Sequence, residues 1–107
     1  MIITGGVNVY PAEIEAVLLA HPKVHDVGVI GVPDADWGES IVAIVQPADG
    51  VVGGEALIAE LTAFCREHLA SYKLPRQWDF RDELPRTEAG KLYKRKIRDE
   101  YLAASAD

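Results

Sequence analysis

Residues Val24–Gln46 read VHDVGVIGVPDADWGESIVAIVQ, and this stretch decides the fold class. Val24, Val27, Val29, Ile30 and Val32 are β-branched and flanked by turn residues, which predicts a strand. Pro33 to Gly38 is a loop by composition, and Ser40 to Gln46 predicts a second strand. So short a connection joins antiparallel neighbours, because a parallel pair needs a crossover of about a dozen residues or more. Towards the N-terminus, Met1–Gly6 (MIITGG) reads as a strand end running into a Gly5-Gly6 turn, followed by Val7-Asn8-Val9-Tyr10. Pro11 suits the first position of a helix, Glu13 and Glu15 favour its positive end, and Ile14, Val17 and Leu18 form its apolar stripe over about three turns. His21-Pro22 ends it.

Beyond the central stretch, Ala56 to Leu69 carries Leu57, Ile58, Leu61, Phe64, Cys65 and Leu69 at helical spacing. Trp78-Asp79-Phe80 suggests a short strand, Leu84 to Leu92 a tight hairpin turning at Gly90, and Lys94 to Ala104 a closing helix with Ile97, Tyr101 and Leu102 inward. The expected fold is therefore α+β: a small, mainly antiparallel sheet with a β-hairpin, flanked by about three helices.

Composition bounds the function classes. The 107 residues suit a single domain, and 49% hydrophobic with 26% charged residues is ordinary for a folded soluble protein. No apolar run approaches the roughly 20 residues of a membrane span, and the first residues lack the basic and apolar regions of a targeting signal. One cysteine excludes an internal disulfide framework and points to the cytoplasm. The net charge of -6 argues against a nucleic-acid partner. That total hides an asymmetry: residues 1–70 hold ten acids and two basic groups, whereas residues 71–107 hold seven acids and nine basic groups. Arg86, Lys91, Lys94, Arg95, Lys96 and Arg98 lie close together, which suits an anion or simply the solvent face of a last helix.

Most familiar catalytic sets are missing. His21, His25 and His68 have no ligand-like spacing with one another or with Cys65, so no metal site is expected. Cys65 lies on an apolar stripe and reads as a small buried hydrophobe rather than a nucleophile. Asp34, Asp36 and Glu39 fit a solvated loop better than a cation site. Neither a nucleophile elbow nor a P-loop sequence occurs.

Three segments stand in register: Gly5–Glu15 (GGVNVYPAEIE), Gly31–Glu39 (GVPDADWGE), and Tyr72-Lys73-Leu74-Pro75 leading to Leu84–Leu92 (LPRTEAGKL). Together they resemble the small C-terminal domain of the acyl-CoA synthetases of the adenylate-forming superfamily, over residues 1 to about 101. The resemblance implies a ligase that joins a carboxylic acid to AMP from ATP, with Mg²⁺, and then transfers the acyl group to coenzyme A. It implies a mobile lid over a large N-terminal adenylation domain. One orientation presents Pro85, Arg86, Thr87, Gly90 and Lys91 for adenylation, and the other presents the Gly5-Gly6 loop for thioester formation.

In that resemblance Lys91 is the catalytic residue. Bringing a carboxylate to an α-phosphate opposes two anions, and an ammonium between them offsets the repulsion. A solvated hairpin lysine is the plainer reading of the same residue without its flanking sequence. Gly5 and Gly6 would leave room for the pantetheine arm of CoA; they also suit a plain hairpin turn. Trp37 resembles a position packing near the CoA nucleotide, although core packing explains it equally well. Tyr72, Lys73 and Arg76 flank the bend where related ligases contact CoA phosphates or adenine.

The family's hinge residue, usually Asp, precedes the first of these segments, and the large domain is not within the 107 residues. The expectation is thus a portion of a longer ligase, inactive alone and with no ligand bound. Gly-Gly at Gly5-Gly6 resembles fatty-acyl, bile-acid or steroid-acid CoA ligases of lipid metabolism more than luciferases and aryl-CoA ligases. Two other readings stand: an adenylation-domain lid feeding a carrier protein, or a protein-binding module without chemistry.

Overall fold

A computed structural model describes residues 1–105. Its elements run β1 (Ile2–Thr4), β2 (Val7–Val9), α1 (Pro11–Leu19), β3 (Val24–Asp34), β4 (Gly38–Pro47), α2 (Glu55–His68), a single 3-10 turn (Ser71–Lys73), β5 (Gln77–Phe80) and α3 (Lys94–Ser105). The expected α+β class holds.

The β3–β4 hairpin is the frame. It pairs in antiparallel register from Asp26↔Gln46 to Asp34↔Gly38, with an irregularity between Val24 and Asp26. Its residues alternate between two cores, as a pleated strand demands. Val27, Val29, Ile41, Ala43 and Val45 face one cluster with Ile14, Leu18, Leu57, Leu61 and Cys65 from α1 and α2. Ile30, Val32, Val42 and Ile44 face a second cluster with Leu84 and Ile97. Both faces are covered, which is why Ile41 to Val45 are apolar without interruption.

The other edge of β4 is shared. Thr4 of β1 pairs with Gly38, and β5 pairs in parallel with Val42 through Val45. The parallel pairing refines the expected antiparallel sheet, and α2 supplies the crossover that it requires. Two further details differ from expectation. Helix α1 has nine residues, nearer two and a half turns than three, because Ala20 already caps it. The predicted Leu84–Leu92 hairpin reduces to one ladder pair, Arg86↔Leu92, closing a turn too short for strands.

Ile97 is fully buried and fixes α3 to the sheet. Ile97→Ala should lower unfolding free energy by about 2–5 kcal/mol, read from urea denaturation.

Candidate functional site

Gly5 and Gly6 form the β1–β2 turn with φ of 57° and 79°, a left-handed conformation that glycine adopts without a Cβ penalty. A Cβ on Gly5 would stand 3.1 Å from the Trp37 ring, whereas one on Gly6 would meet nothing within this chain. The turn is bolted to the β3–β4 tip: the Gly5 N–H donates to the Trp37 carbonyl at 2.8 Å, and the Ile3 N–H donates to Glu39 at 3.0 Å. Asp34 shapes the tip by accepting the N–H groups of Asp36 and Trp37 at 2.9 and 3.0 Å. Two of the acids read as solvated loop residues therefore organise the backbone. The Arg76 guanidinium lies 3.9 Å from the centroid of the Trp37 ring, a cation–π contact. Lys73 reaches Glu13 at 2.8 Å, and that contact holds its ammonium above the usual lysine range. Tyr72 is exposed beside it. Gly5, Gly6, Trp37 and Arg76 thus meet at one end of the hairpin, with Lys73 and Tyr72 tied in through the helix that follows the glycine turn.

The Pro85–Lys91 segment lies at the opposite end, against Asp26. Eight residue steps of extended strand lead from Asp26 to Asp34, roughly 26 Å at a rise of about 3.3 Å per residue. Gly90, with φ of 80°, turns the chain. The Thr87 N–H donates to the Lys91 carbonyl at 2.7 Å, and the Gly90 N–H to the Thr87 carbonyl at 2.8 Å. Leu92 anchors the base against Gly28, where a Cβ would come within 2.7 Å of it. Lys91 itself is exposed, and among the described residues nothing bonds to its ammonium.

Its basic neighbours are largely committed elsewhere. Arg86 pairs with Asp26, Lys94 with Glu15 at 2.6 Å, and the Arg98 Nε–H donates to the Gly31 carbonyl at 3.0 Å. Glu15 also accepts the Val29 N–H at 2.9 Å, so Glu15 and Arg98 satisfy the outer edge of β3. Asp26, Glu15 and Glu13 were invisible as partners in the sequence, since 60 or more residues separate each from its cation. Lys94, Arg95 and Lys96 open α3, where cations oppose the helix dipole, so helix stability does not account for them. A cleft of about 950 Å³ beside the loop is lined by Asp26, Arg81, Arg86, Lys96 and Glu100; its mixed charge does not define an anion site.

His21 bonds the Lys23 N–H at 3.1 Å and faces Glu60 at 3.1 Å, a structural role. Among the described residues, no group of three or more His, Cys, Asp or Glu side chains is placed to hold a metal ion. No helix of the described residues is long and apolar enough to cross a membrane.

Residues 13–91 match the family model described as AMP-binding enzyme C-terminal domain, and the chain belongs to that family. It is 51% identical over 98 residues to a 2-succinylbenzoate–CoA ligase of Geobacillus kaustophilus, covering 92% of this chain and 19% of that protein. It is 44% identical over 100 residues to a long-chain-fatty-acid–CoA ligase of Salmonella typhimurium, covering 94% and 17%. The solved acyl-CoA synthetase of Brucella canis superposes with a TM-score of 0.92 at 35% identity, over 97% of this chain and 19% of that one. The chain spans about a fifth of the length of these relatives.

Burial pushes the Cys65 thiol up to about 11, so at pH 8 only about one in 10³ is ionised. Cys65 should react with a disulfide reagent slowly in the native protein and quickly in denaturant. The raised value also fixes a sign. Stability from this group is full below pH 9 and falls as pH rises towards about 11, a drop that Cys65→Ala should lack in urea midpoints.

Proposed function

We propose that this chain is the C-terminal domain of an ATP-dependent acid–CoA ligase, working against a large N-terminal adenylation domain. In the first half-reaction a carboxylate oxygen attacks the α-phosphorus of ATP and pyrophosphate leaves. In the second, the sulfur of coenzyme A attacks the acyl carbonyl carbon, its proton is released, and AMP leaves. Lys91 serves the first step and the Gly5-Gly6 turn the second.

The observation that carries this reading is the free ammonium of Lys91 on a closed turn whose basic neighbours Arg86, Lys94 and Arg98 are already engaged. An exposed, unpaired cation at the tip of an anchored loop is available to another surface. Placed between the acid carboxylate and the α-phosphate, it neutralises charge where the two anions converge. In this reading the chain's contribution to the chemistry is an ammonium.

At the other end, Ile3, Val7, Tyr10, Trp37 and Tyr72 leave much of their surface in solvent, which supports contact with a second protein surface or a ligand. A Cβ at Gly6 would meet nothing in this chain, so its φ is the constraint the fold itself places there, and the turn is open to a docking ligand. Arg76, Lys73 and the Trp37 ring suit the phosphates and adenine of CoA. The relatives are named for 2-succinylbenzoate and for long-chain fatty acids, so the reading stands at the level of a carboxylic acid. The fatty-acyl, bile-acid or steroid-acid preference rests on Gly5-Gly6 alone.

In the full-length ligase, Lys91→Ala should slow acyl-adenylate formation at least about 10²–10³-fold while CoA transfer from supplied acyl-adenylate persists. Equal loss of both half-reactions contradicts the division of labour. Gly6→Leu should do the reverse: CoA transfer is blocked, and surviving pyrophosphate exchange shows that the variant is folded.

A further inference from the structure

The Arg86 guanidinium makes two contacts at once. Its Nη1 donates to the Gly90 carbonyl at 3.0 Å, and its Nη2 pairs with the Asp26 carboxylate. Gly90 immediately precedes Lys91. Asp26 is itself held, because its Oδ1 accepts the Val27 N–H at 2.9 Å and its side chain is only 15% exposed at the start of the β3–β4 ladder.

The remaining bonds of the turn are internal. Thr87 bonds Lys91 and Gly90 through its backbone, and its Oγ1 accepts the Lys91 N–H at 3.3 Å. Those bonds shape the turn without tying its tip to the sheet. Leu92 against Gly28 and the Arg86↔Leu92 pair hold only its base. Arg86 spans the gap from the carbonyl beside Lys91 to a carboxylate on the frame.

We infer that Arg86 and Asp26 are positioning residues for Lys91: Asp26 orients the guanidinium fork, and its other arm fixes the Gly90 carbonyl and so the direction in which Lys91 leaves the turn. The inference rests on the reading of Lys91 as the adenylation lysine. Arginine fits the task because its planar fork presents donors to two acceptors in fixed geometry; a lysine offers one point charge. The pair is partly solvent-exposed, so its value is geometric and its effect on global stability is small. Misplacing a catalytic group by about 1 Å costs on the order of 10²-fold in rate.

The test uses the full-length ligase with Asp26→Asn, Arg86→Lys, Arg86→Gln and the double variant Asp26→Asn/Arg86→Gln. Three quantities are measured: pyrophosphate exchange with varied ATP, CoA transfer from supplied acyl-adenylate, and amide hydrogen exchange of the segment 85–92. Each single variant should lower kcat for adenylation, by up to about 10²-fold, with KM for ATP and CoA transfer unchanged. Exchange at Gly90 and Lys91 should quicken, and the double variant should be no slower in catalysis than Arg86→Gln alone, as one connected unit requires. A raised KM with kcat retained would mean that Arg86 binds the nucleotide directly and would overturn the inference. Multiplying losses in the double variant, or unchanged amide exchange, would overturn it too. Lys91→Ala is the separate control: if it retains adenylation, the functional reading fails, while amide exchange still decides whether the clasp exists.

Discussion

Burial of the β3–β4 hairpin on both faces is the constraint on which the rest of the structure depends. Each strand contributes alternate residues to two cores, so neither can slip by one position without exchanging its inward sets. The register fixed in this way sets the places of the two loops. The Gly5-Gly6 turn hangs from the tip at Trp37 and Glu39, and the Lys91 turn hangs from Asp26 and Gly28 near the other end. Held on one stiff ribbon, the two loops cannot approach each other.

Charge is organised around the same ribbon. The basic C-terminal segment divides into cations that close the fold and cations that remain outward. Lys94 and Arg98 meet Glu15 and the β3 edge, which ties α3 to α1 and protects an edge strand from pairing. Arg86 meets Asp26. Among the described residues the Lys91 ammonium has no ion-pair partner, and its place at the tip of a closed turn sets it apart from Arg95 and Lys96, which lie on α3. The acidic body of the chain supplies these partners, and the net charge of -6 is their sum with a surplus left on the surface.

Much of the fold was legible because it is written in local pattern. Pro11 at a helix start, the stripe through Leu57, Leu61 and Cys65, and the doubly apolar SIVAIVQ each specify their element from neighbours in the chain. The parallel pairing of β5 was not legible, since it depends on where α2 returns the chain. The single-pair turn at Leu84–Leu92 looked longer than it is because LPRTEAGKL has the composition of a hairpin without enough residues for strands. For the site, the glycine turn, Trp37 and Lys91 stood out by type and by their resemblance to a family. Asp26, Glu15 and Glu13 did not, because a carboxylate looks the same whether it faces water or a cation far along the sequence. No spacing rule pairs residues 60 positions apart.

Under the proposed function, the two ends act alternately on one reaction centre. Trp37 and Tyr93 report on them, being exposed to similar extents, 42% and 41%. Hydroxyl-radical footprinting of the full-length ligase tests the claim most directly. With ATP and the acid, Tyr93 should be protected and Trp37 open; with acyl-adenylate and CoA, Trp37 should be protected and Tyr93 open. Simultaneous protection of both residues in either state would contradict it.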